Sequence, residues 1–137
     1  MIKPTREDAY ILLSVMEVYL SQPLREARRF WRTIPDGLGF EELNEKYPKG
    51  SKEFEQIGTM MIFWETIGSL IKRRLLNEEL AFDTFLDAPP WKKMERYFKE
   101  RREKEKAPLE GENLEIAYKL SLKWQKKRQQ KSSRSSA

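Results

Sequence analysis

Apolar residues recur along this chain at intervals of three and four positions, which is the spacing of one face of an α-helix. Strict alternation of apolar and polar residues, the pattern of a strand, is not sustained in any segment. Proline and glycine clusters divide the helical pattern into segments joined by short loops. The pattern therefore predicts an all-α protein, a single compact bundle of about six to seven helices.

The clearest element is a long central helix, predicted over residues 51–75. Its apolar positions alternate between spacings of three and four residues, as in the a and d positions of a heptad repeat. This seam consists of Phe54, Ile57, Met61, Trp64, Gly68, Ile71 and Leu75. More apolar residues flank the seam, so we expect neighbouring elements to contact this helix from several sides. Gly58 and Gly68 lower its helix propensity, and we expect close approach of a neighbouring helix at these positions.

The chain has 137 residues, which is the usual size of one domain. Thr5 followed by Asp8 predicts the N-terminus of the first helix, and Asn77 predicts another helix start after the central helix. We expect a single helical domain over residues 1–130. Residues 131–137 are rich in serine and basic residues, and we expect them to form a disordered tail.

Composition restricts the chemistry that the chain can perform. The sequence has no cysteine and no histidine, which excludes disulfides, thiolate ligands, cysteine nucleophiles and histidine acid–base catalysis. Catalysis by carboxylates alone stays open. We therefore assign no catalytic residue, no metal ligand and no cofactor, and an enzyme is the least favoured of the function classes.

The net charge of +5 is concentrated at the C-terminus. Residues 123–137 contain six of the 27 basic residues and none of the 22 acidic ones, so residues 1–122 carry a net charge of −1. The six are Lys123, Lys126, Lys127, Arg128, Lys131 and Arg134. Such a segment either contacts nucleic acid or another anionic surface, or simply keeps a C-terminal helix soluble. The second interpretation is favoured, because runs of like charge are usually solvated.

Glu65 lies within the most apolar stretch of the chain, residues 57–71. A half-buried carboxylate needs a partner, and a guanidinium can hold it with two hydrogen bonds. We therefore expect a structural ion pair between Glu65 and an arginine of the second predicted helix, Arg25, Arg28 or Arg29. Together with Arg32 these arginines share one broad helix face, which either pairs with acids of this chain or binds an anion.

Two further expectations concern metals and membranes. Asp83 and Asp87 are four residues apart and could share a hard cation, but surface and capping roles are favoured. No secretory signal is visible, and the apolar stretch over residues 57–71 is shorter than the roughly 20 residues that a membrane-spanning helix needs. We expect a cytoplasmic protein without a membrane span.

Three segments carry a resemblance to a known family. SQPLREARRFW, residues 21–31, followed by FWETIGSLIKRRLLNEELAFDTF, residues 63–85, resembles the prokaryotic all-helical family known as domain of unknown function 4760. NLEIAYKL, residues 113–120, resembles the end of the family pattern, and the resemblance extends over about residues 15–124. The family often has glycine where this chain has Arg74, and many members carry an N-terminal membrane segment that is not visible here. The resemblance implies an α-helical fold and no known activity, cofactor or partner.

Three function classes follow from these observations. The leading one is a helical interaction or scaffold module that acts through a protein partner or through self-association, and it requires a contiguous exposed apolar patch. The second is binding of nucleic acid or an anionic surface by the arginine face and the basic tail. The third is a carboxylate-dependent enzyme, which requires a concave site around Glu65 or Asp83.

Overall fold

Seven α-helices and one 3₁₀ turn form the described part of the chain, which is residues 2–85 and 89–135 of a computed structural model. No strand is present in these residues, so the all-α prediction is confirmed. In chain order the helices are α1 (Arg6–Tyr19), α2 (Gln22–Trp31), α3 (Phe40–Lys46), α4 (Lys52–Lys72), α5 (Glu78–Thr84), α6 (Glu95–Lys104) and α7 (Glu112–Ser135). The 3₁₀ turn, Lys92–Met94, leads directly into α6.

The central helix predicted from the sequence is α4, which packs most extensively against α7 and α2. Its buried residues come from two adjacent faces because it has neighbours on two sides; they are Ile57, Met60, Phe63, Trp64, Ile67, Gly68 and Ile71. The helix ends at Lys72, so the prediction of its end at residue 75 was too long. Leu75, the last residue of the predicted seam, lies beyond the helix and is exposed.

The end of α4 is set by Arg74, which adopts a left-handed backbone conformation with φ 59°. Beyond it, the N–H groups of Leu75 and Leu76 donate to the carbonyl of Leu70, which closes the last turn. Glycine adopts positive φ with little strain, whereas an L-residue such as arginine does so at a cost of about 1 kcal/mol or more. In this chain α4 therefore ends at an arginine in a conformation that glycine adopts with less strain.

Aromatic rings fill the core between α1, α4 and the end of α5. The Tyr19 ring lies 5.7 Å from that of Phe63 and 5.0 Å from that of Phe85, and Trp64 lies 5.4 Å from Phe85. The angles between these rings are mainly edge-to-face, which aromatic pairs favour. These contacts hold the C-terminal end of α1 against the middle of α4.

The charged segment after Phe98 also belongs to the folded body. Although the sequence over residues 99–106 is entirely charged, Arg101 and Arg102 are largely buried and bind residues of the loop before α7 and of its first turn. Arg102 donates to the carbonyl of Glu110 at 2.7 Å and pairs with Glu115 at 3.0 Å. Burial would raise the pKa of Glu115, but hydrogen bonds from Lys119 and Arg102 lower it below its usual value.

The C-terminal segment is helical as far as the structure describes it. We expected residues 131–137 to be disordered, whereas α7 continues through Ser135. Residues 136 and 137 lie outside the described residues, as do Met1 and residues 86–88. Among the described residues, no helix is both long enough and apolar enough to span a bilayer.

Candidate functional site

An apolar groove of about 690 Å³ separates α1 from α4. The polar side chains that line it carry hydroxyl groups, and its lining contains no Asp, Glu, Lys or Arg side chain. The residues that line it are Tyr10, Ile11, Ser14, Val15, Val18, Leu24, Thr59, Ile62, Phe63, Thr66, Ile67 and Leu70. Uncharged grooves of this kind are typical sites for an apolar helix or an apolar ligand.

Large apolar side chains form the rim of this groove and are open to solvent. On α1, Tyr10 is 68% exposed and Val18 is 50% exposed, and on α4 Ile62 is 70% exposed. Leu13, at 66% exposure, adds a further apolar side chain to α1. Single exposed apolar residues are common, but a contiguous set around a groove marks an interaction surface.

The N-terminal end of α1 is fixed in place by Asp8. This carboxylate binds the N–H of Thr5 at 2.7 Å, which completes a capping box at the start of α1. Its other oxygen accepts a hydrogen bond at 2.9 Å from the N–H of Asn77, where α5 begins. The hydrogen bond from Thr5 is the main reason why the pKa of Asp8 lies below its usual value.

The C-terminal end of α1 is fixed by Arg28 of α2. The guanidinium lies 3.7 Å from the ring centroid of Tyr19 and donates to the Tyr19 carbonyl at 3.0 Å. A cation at the carbonyl end of a helix is also favoured by the helix dipole. Both ends of α1 are therefore held, and the groove between α1 and α4 exists before anything binds in it.

Glu65 does not use the partner that we expected. Its carboxylate accepts a hydrogen bond at 2.9 Å from the backbone N–H of Leu114 in the first turn of α7. Among the described residues it makes no ion pair with Arg25, Arg28 or Arg29, so the predicted pairing is corrected. The residue before α7 is Gly111, which has no side chain to cap the helix, and the first N–H groups of a helix need an acceptor from elsewhere. Glu65 supplies this acceptor.

Gly68 allows this arrangement, because it lies one turn beyond Glu65 on α4. A Cβ atom at position 68 would lie 2.0 Å from the carbonyl oxygen of Asn113. The expectation of a close helix approach is therefore correct for Gly68. At Gly58 it is wrong, since a Cβ there would meet nothing within 4 Å.

The arginine face of α2 divides into two parts. Arg28 is half-buried against Tyr19, whereas Arg25, Arg29 and Arg32 are exposed. None of these three side chains makes an ion pair within the described residues. Two acids of α3 bind cations of α6 instead: Glu41 binds Lys104 and Glu42 binds Arg96.

The six C-terminal basic residues all lie on α7 and are exposed. The helix lies beside α5, where a cleft of about 490 Å³ is lined by basic residues of α7 and by Glu79 and Asp83. Arg128 pairs with Asp83 at 2.9 Å, and its guanidinium also lies 5.2 Å from the Trp124 ring. This ion pair accounts for Asp83, while Asp87 lies outside the described residues.

Both carboxylates that we considered for catalysis have partners: Glu65 binds the start of α7, and Asp83 pairs with Arg128 in the cleft between α5 and α7. Glu65 borders a shallow depression of about 320 Å³, together with Ile62, Thr66, Ser69 and Leu70, and it is the only acid there. Its carboxylate already holds the start of α7. Within the described residues, no three acidic side chains lie close enough to hold a metal ion.

The groove was not predicted as a site from the sequence, although a signal for it exists. In α1, apolar residues occupy more positions than one buried face needs: Leu12 is buried, while Tyr10, Leu13 and Val18 are exposed. An amphipathic helix with one partner needs a single apolar stripe. A second stripe on a short helix therefore indicates a second partner.

Comparison with known proteins identifies a family but no characterised relative. A family model described as "Domain of unknown function (DUF4760)" matches residues 12–124, which extend from the buried Leu12 of α1 to Trp124 of α7. The comparisons with curated proteins and with solved structures found no match.

Proposed function

Because the chain belongs to the DUF4760 family, which has no assigned function, we propose its function from its surface: it is an interaction module that pairs with a second copy of itself through the α1–α4 groove. The observation that carries this proposal is the uncharged groove with its exposed apolar rim. Burial of such a surface is the main favourable term in protein association.

The chemistry of the groove favours a second copy of the chain as the occupant. Apart from Leu24 of α2, the groove and its rim lie on α1 and α4, so one surface offers both a cavity and projecting apolar side chains such as Ile62 and Tyr10. A two-fold axis brings the same patch of both copies together, which requires a self-complementary surface. Because no Asp, Glu, Lys or Arg lines the groove, two copies do not repel each other there.

The dimensions of the surface indicate a weak dimer. α1 has 14 residues and is therefore about 21 Å long. Two helices side by side are about 20 Å wide, so the projected face is about 400 Å² per copy. A stable complex buries about 800 Å² per partner, and smaller interfaces belong to transient complexes. We therefore expect a dimer that dissociates on dilution through the micromolar range.

Sedimentation equilibrium of the full chain over a range of concentrations tests the proposal. The average mass should rise from 16.4 kDa at low concentration towards twice that value. Ile62→Glu should remain at the mass of one chain, because the interface would have to desolvate a carboxylate without a partner. Ile62 is largely exposed, so this substitution should leave the circular dichroism spectrum unchanged.

Leu109→Glu is the matched control, because Leu109 is 69% exposed and does not line the groove. This variant should associate like the unaltered chain. The proposal fails if Ile62→Glu and Leu109→Glu sediment alike, or if the unaltered chain stays at 16.4 kDa at all concentrations. Native mass spectrometry can contradict it as well. The proposal fails if the unaltered chain is a monomer with a bound apolar small molecule and Ile62→Glu is a monomer without one.

A further inference from the structure

The last turns of α7 carry a basic stripe that the proposed self-association does not use. At 100° per residue, five cations lie within about 140° of the helix circumference and extend over about 16 Å of its length. They are Lys123, Lys126, Lys127, Lys131 and Arg134, and all are exposed. We propose that this stripe binds the phosphate backbone of nucleic acid without reading its sequence.

Two acids of α5, Glu79 and Asp83, line the same cleft as Lys127, Lys131 and Arg134, and they offset only part of the positive charge of this stripe. The sixth cation, Arg128, lies in this cleft too and pairs with Asp83 at 2.9 Å. This pair and the contact between Arg128 and Trp124 hold α7 against the body. Lys123, Lys126, Lys127 and Arg134 make no ion pair within the described residues, and the last acid in α7 is Glu115.

The length and position of the stripe fit a linear chain of phosphates. Its cations are spread along three turns of a helix and do not converge on one point, as they would around a single phosphate. Several phosphates can therefore be neutralised at once, and the release of their counterions drives binding. Contacts of this type position a protein on the backbone and carry no sequence information.

The last turns of α7 lack the apolar face that a helix needs in order to lie in a lipid surface. A helix that lies in a membrane interface needs an apolar face as well as a basic one. From residue 125 to residue 134 the sequence is QKKRQQKSSR, which contains no apolar side chain. Nucleic acid needs only the cations, so it is the polyanion that this helix fits.

Fluorescence anisotropy with a labelled DNA duplex, repeated at increasing salt, tests this inference on the full chain. The logarithm of the binding constant should fall linearly with the logarithm of the salt concentration. A variant with Lys123→Gln, Lys126→Gln and Arg134→Gln should have a slope smaller by about 2.7, since each lost phosphate contact removes about 0.9. Its affinity at low salt should fall at least about tenfold.

A second triple variant, with Arg25→Gln, Arg29→Gln and Arg32→Gln, controls for net charge. It removes the same three positive charges from exposed positions on α2, so both variants have a formal charge of +2 in place of +5. Its slope should match that of the unaltered chain. The inference fails if both variants lose the same slope, if only the α2 variant loses it, or if the unaltered chain binds anionic lipid vesicles but no duplex.

Discussion

Three carboxylates bind backbone N–H groups at the start of a different helix. The three pairs are Glu65 with Leu114 of α7, Glu100 with Phe40 of α3, and Asp8 with Asn77 at the start of α5. The residues before α3 and α7 are Gly39 and Gly111, which offer no capping side chain. The first N–H groups of a helix lack partners within that helix, so a carboxylate from a neighbour satisfies them and is favoured by the helix dipole.

This type of contact explains where the expectation for Glu65 went wrong. The sequence does show that a half-buried acid needs a partner, and that part of the expectation holds. It does not show that a helix starting after a glycine lies beside this acid, because the two are 49 positions apart. Every residue except proline has a backbone N–H, so the residue type at position 114 does not reveal that its N–H binds Glu65.

The two glycines of α4 allow a matched pair of single substitutions. Gly68→Ala would place a methyl group on the backbone of Asn113, so the free energy of unfolding should fall by about 2 kcal/mol. Gly58→Ala has free space around it and should raise the free energy of unfolding by about 1 kcal/mol through better helix propensity. Denaturant unfolding of both variants measures the difference, and equal effects would mean that α7 does not approach α4 closely at Gly68.

At the level of whole helices, the sequence predicts that an element exists and which type it is. It predicts less well which other elements pack beside it. The apolar spacing correctly predicted α4 and its burial on several sides, whereas its end was placed three residues too late. Arg74 explains this error, since nothing in the identity of an arginine signals a left-handed conformation. The groove was missed because the separation of α1 from α4 depends on contacts at both ends of α1, and the contact between Asp8 and Asn77 joins residues 69 positions apart.

The carboxylate contacts between helices make stability dependent on pH. A hydrogen bond from the Thr5 N–H is the main reason why the pKa of Asp8 is lowered, and one from the Phe40 N–H does the same for the pKa of Glu100. The folded-state pKa values therefore lie below the unfolded ones. At pH values between the folded-state and unfolded-state pKa values, the unfolded chain binds more protons than the folded chain. This part of the stability is therefore fully present above about pH 5 and is lost as pH falls through the folded pKa values.

Unfolding followed by circular dichroism between pH 6 and pH 3 measures this loss. The unaltered chain should lose stability steadily below about pH 5. A double variant with Asp8→Asn and Glu100→Gln should lose less over the same range, because two of the groups that take up protons on unfolding are gone. Identical pH profiles for the two proteins would show that these contacts do not contribute to the acid sensitivity.

The whole molecule presents two unlike surfaces. The α1–α4 groove is apolar and uncharged, and the stripe on α7 is basic and has no apolar residue beyond Trp124. The charge of the C-terminal segment was visible in the sequence, but a stripe that includes Lys131 and Arg134 requires α7 to continue into residues that we expected to be disordered. The two proposals, self-association and polyanion binding, therefore concern separate surfaces, and each surface can be altered without touching the other.

The central claim is that two copies meet across the α1–α4 groove, and a distance between two spin labels tests it most directly. The chain has no cysteine, so Glu17→Cys places one label per copy on α1 next to Val18, and Leu109→Cys places one outside the groove. Pulsed dipolar spectroscopy should give a shorter distance between the two labels at position 17 than between those at position 109, and Ile62→Glu should abolish both signals. A shorter distance at position 109, or a dipolar signal that persists in the Ile62→Glu background, would contradict the account.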